Sequence, residues 1–584
     1  MRSSALVACV VAVAARATLP AATYTWTGGA GNGLFSTPGN WQDGAVPSLS
    51  ETNEEIAFPL AAAATVVNDL GNIAVTRISF TGAFAATIQS PAGYKFTEVE
   101  TIVNGDSAHH VFLCPVVCKD GVTPAITRLA DNYIAFDGGL TMHAMPIAYG
   151  EGAVWSGRLV VTGAVAHSWG AYNKSRKVDA NLLAGTIDLL AADANLDRLG
   201  IYPGATVTVQ RAVYNGCSSR NGSKSNGWGY FALVFDNGNG VLRIRDELRA
   251  TGDAVLFHSY ADEDHTGGTI IVRKVICGQT ARPAGNFTYP NIFLNCGAST
   301  YNNLAEGGWN GEGVWVIGSG GLAFDPAAIA DATYGAHQRN KAILADVPSA
   351  TLYAYEDWAL QPHPTGVSSN ALSIYHHYIV IDTGHYAVGD AELDGATSHV
   401  VTLAGKVTGA GELRIRGGGS VVFANAYTDF SGGLVANGAV TAAVNAGCAP
   451  GAGAVTLNDA ATLKVAQSGT VTLGGALTLG ADATLAFNWT DAARPPVLAL
   501  ASDEAFHGDD YIPATMKVKV TAADGVRPPP GVSHVLTTGG AFVNNGVKRA
   551  VNLVSAPDWV ESVSVNDGGD LVLKCRRGLV ISIK

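Results

Sequence analysis

Gly411-Glu412-Leu413-Arg414-Ile415-Arg416, then Val421-Val422-Phe423, then Phe430-Ser431-Gly432-Gly433-Leu434-Val435, is the stretch that decides the fold. Apolar and polar residues alternate in Leu413-Arg414-Ile415-Arg416. That period of two buries Leu413 and Ile415 on one face of a strand and sends both arginines to the other. Gly-Gly then marks a turn before the next apolar run. The same order recurs upstream: Gly240-Val241-Leu242-Arg243-Ile244-Arg245, then Val255-Leu256-Phe257, then His265-Thr266-Gly267-Gly268-Thr269-Ile270. A further alternating element, Gly185-Thr186-Ile187-Asp188-Leu189 followed by Gly204-Ala205-Thr206-Val207-Thr208-Val209, recurs loosely in Gly453-Ala454-Val455-Thr456-Leu457 and Ala461-Thr462-Leu463-Lys464-Val465. One such unit cannot bury its own apolar face, whereas stacked units can.

Composition agrees with short strands and turns. Gly is 70 of 584 residues and charged residues are only 14%, against roughly 25% in an average soluble protein. With 47% hydrophobic residues the chain has ample material for a core, which argues against disorder. A net charge of -12 and the lack of a basic face argue against nucleic acid as a partner.

The N-terminus reads as a signal peptide over residues 1–22: Arg2, an apolar run from Ala5 to Ala15, then Ala15-Arg16-Ala17, with Pro20-Ala21-Ala22 as a second cleavage candidate. Export, to the outside or the cell surface, is the expectation. No later run is long enough for a membrane helix, so no integral membrane segment is expected after the signal is removed. Residues 23–129 are expected to form a cap and first strands, with Trp26, Gly28, Gly29, Asn40, Trp41 and Pro47 supplying turns and large apolar faces. Residues 130–490 are expected to form the repeats, on the order of 15 coils at ~20–25 residues each. An aromatic-rich insertion is expected at 285–400. Residues 491–584, broken by Arg494-Pro495-Pro496 and Arg527-Pro528-Pro529-Pro530, read as a small β-rich C-terminal cap or domain. That span is too short for a translocating barrel.

Trp26-Thr27-Gly28-Gly29, Asn40-Trp41 and Val46-Pro47, together with the strand, strand, Gly-Gly, strand order, resemble secreted bacterial proteins with autotransporter-associated β-strand repeats. Asn425-Ala426-Tyr427 keeps that family's usual Asn-x-Tyr before the Gly-Gly, while Ser259-Tyr260 departs from it. The resemblance implies an all-β, right-handed parallel β-helix or solenoid with an N-terminal Trp-containing cap. It also implies a surface role in adhesion or in binding polysaccharide or surface proteins.

Candidate chemistry is sparse. Trp309, Trp315, Tyr353, Tyr355 and Trp358 offer faces for stacking on sugars or protein partners, or serve to cover the repeats where the pattern fails. Asp390, Glu392 and Asp394 share one strand face. They would suit a β-helix lyase or glycoside hydrolase, or simply a solvated edge. Tyr260-Ala261-Asp262-Glu263-Asp264-His265 could hold calcium but lacks the spacing of a dedicated loop. His109-His110, His376-His377 and His385 lack metal-ligand spacing, and adjacent histidines on a strand diverge. No CxxC pair is present, so a zinc site has no support, and no metal is expected. No cofactor is expected either. Cys9 falls in the leader, leaving seven cysteines. Cys114 and Cys118 are too far apart to bridge if both lie on one strand, although Pro115 could break it. No Gly-x-Ser-x-Gly, His-Glu-x-x-His or Walker signature occurs, so a non-catalytic role leads and an enzyme is the alternative.

Overall fold

The computed structural model describes residues 22–120, 350–374, 378–384, 398–500 and 509–577. Between 120 and 350 it describes chiefly strands. The protein is all-β, and its long sheets are parallel. Two short 3-10 turns, Pro38–Asn40 and Gln42–Gly44, are the helical segments among the described residues. The chain forms two compact units, Met1–Leu140 and Thr141–Lys584.

In the first unit the chain returns to the same parallel ladder at regular intervals. Thr23–Thr25, Asn53–Phe58, Ile73–Phe80, Thr101–Asn104 and Ala125–Arg128 pair in succession. Tyr24, Ile56, Ile78, Ile102 and Ile126 are register partners, and the step from one isoleucine to the next is nearly constant. All four isoleucines are buried. A second ladder joins Ala64–Val67, Ala86–Gln89, His110–Phe112 and Tyr133–Phe136, aligning Val66, Ile88, Phe112 and Phe136. A third aligns Ile73, Phe96 and Val116.

The N-terminal end of this unit is an aromatic cluster. Trp26 meets Trp41 edge-on at 5.0 Å and Phe35 at 5.6 Å, and Phe35 meets Trp41 at 4.8 Å. Below them Phe58 stacks on Phe80 at 5.3 Å. Asn40 is wholly buried and locks the turns of the cluster. Its amide donates to Asn32 Oδ1 and to the Leu34 carbonyl, and its Oδ1 accepts from the Ala30 N–H. Gly33 has φ +73°, and a Cβ there would sit 2.7 Å from the Thr65 carbonyl oxygen, so glycine is required.

The second unit is built the same way over more rungs. Leu159, Ile187, Val207, Leu242, Ile270, Trp315, Leu352, Ile381, Ile415, Ala436, Leu457 and Leu479 are successive register partners. From Leu242 onward every member is buried. A parallel column runs Leu248, Val275, Leu322, Leu360, Leu403, Phe423, Val444, Val465, Phe487 and Val520, all buried. Each fully buried aliphatic side chain contributes about 1.5–3 kcal/mol, so these columns carry the stability of the sheets. Ile415, Ala436, Leu457 and Leu479 mark a regular stretch, in which the step between rungs hardly varies. The ladder also passes through residues 285–400. There the steps from Ile270 to Trp315 and from Trp315 to Leu352 are much longer than those of the regular stretch.

The alternation read from the sequence holds in the two Leu-Arg-Ile-Arg runs but fails at Thr208, a polar position of the pattern that is buried. Leu242, Ile244, Leu413 and Ile415 are buried, while Arg245 and Arg416 are exposed. The matching of Val255-Leu256-Phe257 to Val421-Val422-Phe423 does not hold. Val255–Tyr260 belongs to the ladder of Leu233–Asp236, Ile292–Asn295, Ile343–Ala345, Asn370–Ile374 and Lys406–Thr408. Ser420–Phe423 pairs instead with Val400–Leu403 and Thr441–Val444. The two segments share an apolar pattern but occupy different ladders.

Toward the C-terminus, Thr484–Trp489, Thr515–Ala522 and Ala550–Ser555 continue the parallel pairing at wider steps. The pairing then turns antiparallel, with Ser533–Val535, Leu571–Cys575 and Val560–Val565 in one small sheet. Among the described residues no helix is long and apolar enough to cross a membrane.

The columns predict a sharp contrast between faces. Ile415→Ala should cost about 2–5 kcal/mol through lost burial and a residual cavity. Thr456→Ala, on the half-buried opposite face, should stay within roughly 0.5 kcal/mol. Urea unfolding midpoints of the two variants measure the difference.

Candidate functional site

The strands Gly313–Phe324, Ala350–Ala354, Tyr378–Asp382 and Glu412–Arg416 pair in succession. Of the sequence-selected aromatics, Trp315 lies on the first and Tyr353 on the second, Tyr355 follows the second, and Trp358 lies on the separate strand Trp358–Leu360. Strand parity decides which of them reach the surface. Trp315 lies in the buried column between Ile270 and Leu352 and is 0% exposed. Trp358 pairs with Val401 at the head of another buried column and is 3% exposed. Neither tryptophan has the open ring face that stacking on a ligand needs, so the reading of Trp315 and Trp358 as ligand contacts is corrected to core packing. Trp309 lies outside the described residues.

Tyr353 and Tyr355 point the other way and are half-buried. They pack over Ile271 and Val316, which lie on the face opposite the Trp315 column. Tyr355 lies directly over Gly318, where a Cβ would come within 2.4 Å of the phenol oxygen and 2.8 Å of Glu356 Oε2. The same Glu356 Oε2 accepts the Ser319 N–H at 2.6 Å. The bare backbone of Ile317-Gly318-Ser319 thus seats an aromatic ring and a carboxylate.

The register then sets a polar row beside Tyr353. Val316, Tyr353, Asp382 and Arg416 are successive partners on neighbouring strands. Arg416 donates from Nε to Asp382 Oδ2 at 2.6 Å and from Nη2 to Tyr353 Oη at 2.9 Å. Asp382 Oδ1 accepts the Gly384 N–H at 2.9 Å, which fixes the carboxylate. Partial burial works against the charge of Arg416, but the bonds to Asp382 and Tyr353 outweigh it and hold its pKa above the usual value. Two residues back, Arg414 lies over the Tyr378 ring at 3.6 Å and pairs with Glu412. The Arg416 and Arg414 side chains remain 46% and 41% exposed, so part of each guanidinium reaches solvent. The row combines phenols, guanidiniums and carboxylates, suited to hydrogen bonding and stacking. Asp382 and Glu412 are each paired with an arginine.

Sequence reading missed this row, because Arg414 and Arg416 looked like ordinary solvent-facing charges. Their end-of-strand position beside an aspartate-terminated strand was the available signal, but its meaning depends on the register between strands far apart in the chain.

Other candidates fall elsewhere. Asp390, Glu392 and Asp394, His376, His377 and His385, and the acidic run Ala261–His265 lie outside the described residues. Among the described residues no His, Cys, Asp and Glu side chains gather as a metal-binding group. Cys114, Cys118, Cys448 and Cys575 are free buried thiols. Burial pushes Cys114 and Cys118 up to about 12, which removes them as nucleophiles at neutral pH. Asn425 is nearly buried and ties neighbouring turns together. It donates to the Val367 and Ala404 carbonyls and accepts the Tyr427 N–H. The sequence carries four Asn-x-Ser/Thr sequons, at Asn173, Asn221, Asn286 and Asn488, of which the first three lie outside the described residues. Asn488 donates to the Ala466 carbonyl and accepts from Thr521, so its amide is occupied in packing.

Comparison with protein-family models gives no match, and neither curated proteins nor solved structures give one.

The seat at Gly318 makes a double-mutant prediction. Gly318→Ala should cost about 1–3 kcal/mol by pushing Tyr355 off the strand. In a Tyr355→Ala background the same change should cost much less, because only the movable carboxylate of Glu356 is then left in the way of the methyl. Additive losses in urea melts would contradict the described contact.

Proposed function

We propose that this protein is an exported, non-catalytic parallel β-helix that binds extracellular polysaccharide or a surface protein through the face bearing Tyr353, Asp382, Arg416, Tyr378 and Arg414. The observation that carries the proposal is the guanidinium of Arg416, held between a carboxylate and a phenol while half exposed. Such a fixed donor beside aromatic rings is recognition chemistry. Asp382 and Glu412, the two carboxylates of the row, are each tied to an arginine, which favours recognition over bond cleavage in this reading.

The architectural part rests on recurrence. The chain revisits each ladder in the same order at near-constant intervals in its regular stretches, as a coil does when it closes on itself. Right-handed winding follows from the general preference of parallel crossovers. In this reading the Trp26, Phe35 and Trp41 cluster covers the first rung of the first unit, and the antiparallel C-terminal strands cover the last parallel rungs of the second. Export is supported by the leader. The autotransporter-associated repeat class is supported by the Trp-Thr-Gly-Gly opening and by Asn425-Ala426-Tyr427.

A panel of polysaccharides and immobilised surface proteins tests the function. The wild type should bind at least one member, and Arg416→Ala and Tyr353→Ala should each weaken that binding about tenfold or more. Equal binding by both variants would remove this face as the site. Release of reducing or unsaturated ends from any polysaccharide would overturn the non-catalytic reading.

A further inference from the structure

His110 breaks the rule of its own column. It lies in the second ladder of the first unit, on the strand His110–Phe112, as the register partner of the buried Ile134. Its side chain is 0% exposed, and its ring stacks on Phe80 at 4.0 Å with planes 14° apart. An imidazole in such a place must satisfy both nitrogens. Nδ1 accepts the Ala86 N–H at 3.1 Å, which reaches across from the first residue of the strand Ala86–Gln89. With Nδ1 accepting, the proton sits on Nε2, which faces Asp106 Oδ1 at 3.1 Å. Asp106 is itself 5% exposed and accepts the Ala108 N–H on the same oxygen at 2.8 Å. Asn104 completes the turn, donating to the Ala108 carbonyl at 3.0 Å.

We infer that His110 is an acid-sensitive latch that joins the turn Asn104–His110 to the start of the strand Ala86–Gln89. A second proton, taken from solvent, can go only to Nδ1. That converts the acceptor of the Ala86 N–H into a donor, and two N–H groups then face each other in a site that water does not reach. The join between adjacent rungs is lost at that point, while the Asp106 contact survives.

The ionisable groups acting on His110 are Asp106, which favours the charged ring, and the neighbouring His109, which disfavours it. Phe80 and Ala86, from the strands packed against the ring, bring none. Burial is the largest influence and leaves the pKa of His110 below the ordinary 6.5. The sign follows. Below 6.5 an unfolded histidine gains a proton that the folded one resists, so the latch holds fully above that pH and weakens as pH falls through it.

Hydrogen exchange of the full chain, read on peptides spanning Ala86–Gln89 and corrected for intrinsic rates, tests the latch. Wild-type protection there should fall by up to about tenfold per pH unit below 6.5. His110→Gln, which does not titrate, should show no such fall over the same range. A flat wild-type profile, or an equal fall in both proteins, would overturn the inference. Should His110→Gln not fold, 15N-histidine spectra of the wild type decide alone. A neutral Nε2–H tautomer that titrates below 6.5 supports the latch. An Nδ1–H tautomer, or a ring already doubly protonated at pH 7, rejects it.

Discussion

A strand in a parallel ladder leaves one row of backbone N–H and C=O groups on each edge, and only a neighbouring rung in register satisfies them. In this protein the same register also decides which side chains are buried. Ile56, Ile78, Ile102 and Ile126 align because their strands pair residue for residue, and the column excludes water only while that pairing is kept. A slip of one residue would turn every isoleucine out and every polar neighbour in. Turn residues such as Gly33 and locking side chains such as Asn40 and Asn425 therefore act on the core indirectly, by fixing how much chain lies between rungs.

This constraint explains what could be read from sequence. Leu413-Arg414-Ile415-Arg416 declares its own parity, and the structure buries its two aliphatic residues. Where steps are regular, as from Ile415 to Leu479, the pattern recurs at an almost fixed interval and is visible to the eye. Three features were not legible. In Val314-Trp315-Val316-Ile317 both faces are covered, so alternation is lost and nothing local says that Trp315 belongs to the column. Val255-Leu256-Phe257 and Val421-Val422-Phe423 look alike, but ladder membership is set by the length of the preceding connection rather than by the strand itself. The contact of Asp382 with Arg416 exists only because their strands are paired.

The outer faces tell a complementary story. Charged residues are few, and the row beside Tyr353 and Tyr378 holds two opposite-sign pairs: Asp382 with Arg416, Glu412 with Arg414. Exposed pairs of this kind contribute little to stability. Their value lies in holding guanidinium groups at fixed spacing beside Tyr353 and Tyr378, on a scaffold whose rungs cannot shift independently. His110 is the counterpart on a buried face: an ionisable ring placed where a column needs an apolar one, and kept neutral by burial and by its bond to Ala86.

Cysteine pairing across rungs tests the central claim of strict register most directly. Thr441, Thr462 and Thr484 are successive partners on the half-buried face. Neighbouring rungs lie about 4.8 Å apart, within the Cα separation a disulfide tolerates, and two rungs span about twice that. Under mild oxidation, Thr441→Cys with Thr462→Cys should cross-link readily within one chain, and Thr441→Cys with Thr484→Cys should not. Cross-linking of the second pair in preference to the first would contradict the register on which the whole account stands.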